Sequence, residues 1–333
     1  MKHIEGRFVP HYIRKYRGKR LAKLMTAIAA ATLAGAAASD VTTAPESAGD
    51  SSEENHTGSS VMDMDLETLM KQTVTSVSRK SERLSDAASA VFVITQEDIR
   101  RSGATSIPEA LRLSPGLEVA RQDAHTWAIS ARGFNDEFAS KLLVLVDGRT
   151  VYSPLVASVN WDVQDYPLED IERIEVIRGP GATVWGANAV NGVINITTKS
   201  AKDTQGLLIT GGGGSEDQGF GTLRYGDKIG ESAFYRVYGK FHNRDASDLR
   251  GGGEANDAWW MSRGGFRLDW IPSDQNLFTL QGDLYGGELG QTITVPLVTS
   301  PYATALTDDV NTTGGNILGR WTHDFSSHSQ LAV

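Results

Sequence analysis

Polar and apolar residues alternate with a period of two through the second half of the chain, and this pattern limits the fold more than any other feature. Between residues 233 and 242, Tyr235 and Phe241 fall on one face of an extended chain, whereas Arg236 and Lys240 fall on the other. The same alternation occupies residues 259–270, 277–286 and 316–325. Because successive side chains of a β-strand point to opposite faces, the pattern predicts only strands from residue 207 onward.

Two kinds of sheet produce this alternation. A soluble sheet packed on one face alternates, and so does the wall of a membrane barrel, which is apolar outside and polar inside. Here the segments are long and aromatic residues recur near their ends. Tight connections at residues 226–230, 271–275 and 326–328 alternate with longer ones at residues 243–258 and 287–312. Outer-membrane barrels have short turns on one side and longer loops on the other, so the sequence favours transmembrane strands.

The segment before these strands mixes short helices with strands. Residues 90–94 form a predicted strand, Thr95 can cap a helix over residues 96–102, and Gly103 can end that helix. Ser106 and Glu109 have the spacing of a capping box. This pattern predicts a small α+β domain.

Five motifs in this segment occur in one order. They are SGATSIPEALRLSPGL at residues 102–117, ARGF at 131–134, LLVLVDGR at 142–149, DIERIEVIRGP at 170–180 and GANAVNGVINITTK at 186–199. Together they resemble the plug domain of TonB-dependent outer-membrane receptors, and the resemblance covers residues 72–199. It implies an α+β plug domain followed by antiparallel transmembrane β-barrel strands, in the outer membrane of a Gram-negative bacterium.

The strand count is small for such a receptor. Residues 207–333 hold about six strands and the start of a seventh, whereas plugged transporters of the outer membrane have about 22. Open sheet edges are not tolerated in hydrocarbon. We therefore expect an incomplete barrel and the first part of a longer receptor. A truncated gene, an incompletely predicted gene and a deliberate fragment would all give this sequence.

The N-terminus has the order of an export signal. Residues 1–23 are basic, residues 24–33 are apolar, and small residues follow at 35–39. The apolar stretch is shorter than the roughly 20 residues of a membrane-spanning helix. We predict a signal peptide over residues 1–38, with a disordered basic tail beside a buried alanine-rich helix as the alternative.

Composition excludes some classes of binding partner and functional site. The net charge is −9 although the N-terminus is basic, so the acidic remainder argues against nucleic acid as a partner. No cysteine is present, which excludes disulfides and thiolate metal sites. No spacing of histidines indicates a metal site, and no motif indicates a catalytic residue or a cofactor. The sequence predicts a protein that is not an enzyme.

The resemblance also sets domain boundaries. Residues 39–71 are a predicted flexible linker, 72–78 resemble a TonB box, 79–200 are the predicted plug, and 201–333 are the predicted N-terminal part of the barrel, which would contact outer-membrane lipid.

The TonB-box-like segment could bind a partner through its main chain. The residues concerned are Thr73, Val74, Thr75, Ser76 and Val77. An exposed β-branched segment after a flexible linker can add as an edge strand to another protein. The resemblance implies that the binding partner is a TonB-type energy-transducing protein. A first plug strand without a partner is the alternative.

Two arginines and two loops complete the candidate sites. The resemblance implies that Arg132 and Arg178 pair with barrel carboxylates and hold the plug; a local salt bridge between Arg178 and Glu175 is the alternative. We expect the apical plug loops to meet the ligand. Their candidate residues are His125, Trp127, Asn160 and Trp161.

The leading functional hypothesis is energised uptake of a large scarce ligand, such as a ferric siderophore or cobalamin. A receptor that binds without import, for signalling or adhesion, and a non-functional receptor fragment are the alternatives.

Overall fold

The computed structural model describes residues 73–74, 82–83, 90–133, 135–153, 155, 157–326 and 329–333. These residues belong to one contact unit, His56–Val333. The predicted export signal, the predicted linker and Thr75, Ser76 and Val77 lie outside the described residues. In the part of the chain that is described, no helix is long and apolar enough to cross a membrane.

The first described strands are short. Strand β1 (Thr73–Val74) pairs antiparallel with β2 (Glu82–Arg83) in a two-stranded sheet. Thr73 and Val74 are the first two of the five residues predicted to bind the TonB-type partner. Both adopt the extended backbone that pairing with a partner strand requires.

Local sequence determines the first helix. Helix α1 (Gln96–Ser102) begins after Thr95, whose Oγ1 accepts from the Asp98 N–H, while the Asp98 carboxylate accepts from the Thr95 N–H at 3.0 Å. Gly103 ends the helix with a φ of 72°. This reciprocal pair satisfies two amides that a helix start otherwise leaves without partners.

Helix α2 (Ile107–Leu111) follows with a different cap. The Ser106 hydroxyl accepts from the Glu109 N–H. The Glu109 carboxylate accepts from the Thr105 N–H at 2.9 Å. A third short helix, α3, spans Ala182–Trp185.

A five-stranded mixed sheet forms the centre of the α+β domain. Its strands are β3 (Ala90–Thr95), β6 (Leu142–Val146), β7 (Arg149–Thr150), β8 (Ile171–Arg178) and β9 (Gly192–Thr198). They lie in the order β3-β8-β9-β6-β7, and the β6–β9 pair is parallel. Ile174, Val176 and Ile194 are fully buried in an apolar cluster on one face of the sheet, and Ile177 and Val193 belong to a second cluster on the other face. A separate hairpin pairs β4 (Leu117–Arg121) with β5 (Trp127–Ala131).

The remaining strands form one antiparallel sheet of seven, in which each strand pairs with the next in sequence. They are β10 (Gly206–Gly212), β11 (Asp217–Ile229), β12 (Ala233–Arg244), β13 (Trp259–Ser273), β14 (Asn276–Pro296), β15 (Ala303–Ser326) and β16 (Ser329–Ala332). Connections at residues 230–232 and 274–275 are short, and those at 245–258 and 297–302, at the other end, are longer.

The two faces of the seven-stranded sheet differ in polarity as the sequence predicts. Arg236 and Arg263 face the α+β domain and are 4% and 2% exposed. On the opposite face, Leu284 and Ile317 are 74% and 72% exposed. A soluble sheet buries its apolar side, so this inverted arrangement is that of a barrel wall facing lipid.

Aromatic residues line the exposed face near the short connections. Trp270, Phe278 and Trp321 are neighbours on three adjacent strands, and their ring centroids are 5.2 Å and 6.1 Å apart. Such a band is typical of the membrane–water interface of a barrel.

The prediction of a long loop at residues 287–312 is wrong. Strands β14 and β15 stay paired from Asn276–His323 to Pro296–Ala303, and only residues 297–302 connect them. Thr292, Ile293, Thr294 and Val295 favour an extended backbone, and pairing with β15 overrides the glycines that precede them.

Candidate functional site

Buried basic residues of the seven-stranded sheet meet carboxylates of the α+β domain. Asp170 lies at the end of a 3₁₀ turn, where its Oδ1 accepts from Arg224 Nη1 at 2.5 Å and its Oδ2 lies 3.5 Å from Arg236 Nε. Lys240 Nζ donates to Asp165 Oδ1 at 2.5 Å. Breaking a buried pair by removing one partner costs about 3–5 kcal/mol, so these contacts fix the domain on the sheet.

Arg263 makes a third connection. Its guanidinium donates to the Val163 carbonyl of the α+β domain and to Asp283 of β14. It lies between the rings of Tyr166 and Tyr285, at 4.6 Å and 4.9 Å from their centroids. The aromatic faces favour the cation where water is excluded.

The predicted anchors Arg132 and Arg178 lie apart from these contacts. Arg132 is exposed, has a φ of 59°, and donates to the Arg178 carbonyl at 3.2 Å. The Arg178 side chain lies against Gly116. Within the described residues neither guanidinium pairs with a carboxylate, and Glu175, the alternative partner of Arg178, bonds to Arg173 at 2.7 Å. Their anchoring role stays a prediction.

The β4–β5 connection is fixed at the end of the sheet that has the longer connections. Asp123 Oδ1 accepts from the His125 N–H at 2.9 Å, which tightens the loop. The Ala124 N–H donates to Asp257 Oδ2 at 2.9 Å, and the Ala124 carbonyl accepts from Trp259 Nε1 at 3.0 Å. These two bonds join the loop directly to the sheet and the connection that precedes β13.

His125 extends this contact to β14. Its Nε2 lies 2.9 Å from the Gly290 carbonyl oxygen. A carbonyl only accepts, so Nε2 carries the proton in this bond.

A cavity of about 540 Å³ lies between the apical loops and β14. All four predicted ligand-facing residues line it: His125, Trp127, Asn160 and Trp161. Trp127 and Trp161 are 6% and 7% exposed, so most of each ring belongs to the core of the α+β domain.

Strand β14 adds residues that sequence reasoning missed. Gln291, Thr292, Ile293 and Thr294 line the cavity, and they fall in the predicted loop. Their β-branched pattern favours a strand, but nothing local places that strand beside the plug loops.

Three carboxylates also line the cavity: Asp123, Glu137 and Asp162. Burial raises the pKa of Asp162, and His125 nearby opposes part of this rise. Burial also raises the pKa of Glu137, and the charges of Asp136 and Asp123 add to the effect. In the described ranges, no group of three or more His, Cys, Asp or Glu side chains could hold a metal ion.

Comparison with known proteins agrees with this architecture. Residues 83–193 match the family model of the TonB-dependent receptor plug domain. The vitamin B12 transporter of Vibrio vulnificus is 28% identical over 224 residues, which cover 67% of this chain and 34% of the transporter. The ferric enterobactin receptor of Pseudomonas aeruginosa is 30% identical over 268 residues, covering 67% of this chain and 35% of the receptor. The chain spans about a third of the length of these relatives.

Solved structures share the fold. The ferripyoverdine receptor of the Pseudomonas aeruginosa outer membrane, bound to ferripyoverdine, matches with a TM-score of 0.58 and 16% identity over 76% of this chain and 34% of the receptor. The copper transporter OprC matches with a TM-score of 0.53 and 16% identity over 73% of this chain and 36% of the transporter. The α+β domain is therefore a plug and the seven-stranded sheet is part of a barrel wall, and the chain belongs to the TonB-dependent receptor family of the Gram-negative outer membrane.

Proposed function

We propose that this chain forms the plug and the first barrel strands of a receptor that takes up a large scarce ligand, such as a ferric siderophore or cobalamin. The observation that supports this function best is the cavity at the plug apex. It joins all four candidate ligand residues to β14 at the end of the sheet with longer connections. In outer-membrane barrels that end is extracellular.

Import requires the plug to move, because the plug fills the path on the polar face of the sheet. The buried pairs of Asp170 and Asp165 hold it in place. Energy must therefore come from outside the chain. We propose that a TonB-type protein pairs with residues 73–77 by strand addition and pulls on the plug.

The two relatives differ in ligand. One is named a vitamin B12 transporter and the other a ferric enterobactin receptor. Both ligands are large, so the two relatives share the binding of a large ligand. Which ligand this chain binds must be measured.

The test is uptake by cells that make the native protein and by cells from which its gene is deleted. Radiolabelled cobalamin and ferric siderophores are supplied with and without an uncoupler of the proton gradient. We expect deletion and uncoupler each to abolish uptake of one ligand. If gene deletion changes the uptake of none of these ligands, the proposal is overturned. If the protein binds a ligand without energised uptake, the signalling or adhesion alternative is supported.

A further inference from the structure

The described residues that line the apical cavity include acidic side chains but no lysine or arginine. Among the described residues that line it, the ionisable ones are Asp123, His125, Glu137 and Asp162. His125 donates its Nε2 proton to the Gly290 carbonyl, so this N–H is not available to a ligand in the cavity. Three carboxyl groups and one imidazole thus line the described part of the cavity, so acidic groups outnumber basic ones, although burial raises the pKa values of Glu137 and Asp162.

Two arginines beside the β4–β5 hairpin have acidic partners of their own. Arg244 approaches the Ala124 carbonyl at 3.4 Å, but its Nε donates to Asp217 at 2.6 Å. Arg121 pairs with Glu216 at 3.0 Å. Neither arginine offsets the carboxylates on the cavity wall.

The same walls offer neutral acceptors and apolar contact. Asn160 and Gln291 bring side-chain amides, and the two tryptophans bring aromatic surface. A ligand with N–H groups can donate to the carboxylates and amide oxygens, and a charged donor makes the stronger bond.

We propose that this cavity selects a ligand that is neutral or positively charged and rich in hydrogen-bond donors, and that it rejects polyanionic chelates. This inference rests on the proposed function, because it assigns a class of ligand to the same site. A ferric tricatecholate carries three negative charges and would bring them among acidic groups of like charge. A ferric trihydroxamate with a free ammonium group, or an amide-rich corrinoid, meets no such repulsion.

The charge of the cavity can be measured without knowing the ligand. Residues 1–333 contain no cysteine, so Asn160→Cys introduces the one thiol among them. Any cysteine elsewhere in the native-length receptor is first replaced by serine. The rate of thiol modification is compared for cationic and anionic methanethiosulfonate reagents of similar size, on the native-length receptor in outer-membrane vesicles. Relative to a free thiol, we expect the cationic reagent to be favoured by about tenfold.

Two further variants make the result specific. Glu137→Gln with Asp162→Asn should reduce this preference several-fold, and Asp123 accounts for what is left. The matched control is Thr183→Cys on α3, an exposed position outside the cavity lining, where the same two substitutions should change nothing. Equal rates for the two reagents relative to a free thiol, or a preference that the two substitutions leave undiminished, would overturn the proposal.

Ligand protection of the introduced thiol is the second readout. The probes are ferrioxamine B, which is cationic, cyanocobalamin, which is neutral, and ferric enterobactin, which is trianionic. We expect protection by ferrioxamine B or cyanocobalamin, and the two neutralising substitutions should weaken ferrioxamine B protection several-fold.

The two proposals fail in different ways. Energised uptake of ferric enterobactin by the unaltered receptor leaves the proposed function standing and overturns the charge preference. If gene deletion alters the uptake of no ligand, the proposed function falls, while the thiol rates still decide whether the cavity prefers cations.

Discussion

Asp170 of the plug and Arg224 of β11 form a buried ion pair with 2.5 Å between Oδ1 and Nη1. Their side chains are 3% and 11% exposed. The pair joins a 3₁₀ turn of the plug to the barrel wall across 54 residues of sequence. Because Arg236 approaches the same carboxylate, one acidic side chain holds two basic residues of adjacent strands.

Asp170→Asn should loosen the plug. The amide cannot balance two buried guanidinium groups, so we expect the plug to lose about 3–5 kcal/mol of stability in the barrel. The measurement is the urea concentration at which the plug becomes sensitive to protease in outer-membrane vesicles. Glu118→Gln, the same chemical change on exposed β4, is the control and should leave that concentration unchanged. Equal behaviour of the two variants would show that Asp170 does not anchor the plug.

Gly192→Ala should destabilise the plug sheet. A Cβ at Gly192 would lie 2.5 Å from the Ile177 carbonyl oxygen and 3.1 Å from Leu142 Cδ1. The adjacent backbone of β8 cannot move without disturbing the core, so we expect a loss of about 1–3 kcal/mol. The assay is the same protease sensitivity in urea. Gly219→Ala in β11, where a Cβ meets nothing within 4 Å, is the control. A Gly192→Ala plug as resistant as the control would contradict the close packing of β9.

Val74→Pro should separate binding from import. Proline removes the main-chain N–H that a pairing strand needs, so we expect energised uptake to be lost. Ligand binding at the plug apex should stay within about twofold, because residue 74 does not line the cavity. Ala48→Pro in the predicted linker is the control and should import normally. Normal uptake by the Val74→Pro receptor would remove this segment from the proposed mechanism.

Acidification should release the plug loop from the barrel loop at residues 245–258. Burial by itself raises the pKa of Asp257, but hydrogen bonds from Ser247 and Ala124 outweigh it and hold that pKa below its usual range. The stabilisation is therefore complete above the unfolded pKa of about 3.9 and is lost as the pH falls through the lower folded value.

Hydrogen exchange of the Ala124 and Ser247 amides measures this effect. After correction for the intrinsic pH dependence of exchange, protection should be constant from pH 7 to about pH 5 and should fall below about pH 4. Asp257→Asn should show weak protection at every pH. A loss of protection centred near neutral pH would show that another group controls the loop.

The sequence by itself determined the local structure of the plug and the two faces of the barrel wall. Thr95 and Gly103 mark the ends of α1 because their hydrogen bonds and backbone conformation involve only neighbouring residues. Arg236 and Lys240 face inward because side chains of a strand alternate. The resemblance to a plug, rather than a local pattern, suggested His125, Trp127, Asn160 and Trp161 as ligand-facing residues; all four line one cavity, and their contact with a ligand stays a prediction.

Only the tertiary structure decided which charges meet and which strand completes the cavity. The structure joins Asp170 and Asp165 to Arg224, Arg236 and Lys240, which no sequence pattern indicated, and the predicted anchoring by Arg132 and Arg178 stays a prediction. Such pairs depend on the register of the barrel strands and on how the plug packs against them. Pairing with β15 likewise turns the predicted loop into the end of β14, at the cavity wall. These contacts join residues far apart in sequence, so no local periodicity or cap encodes them.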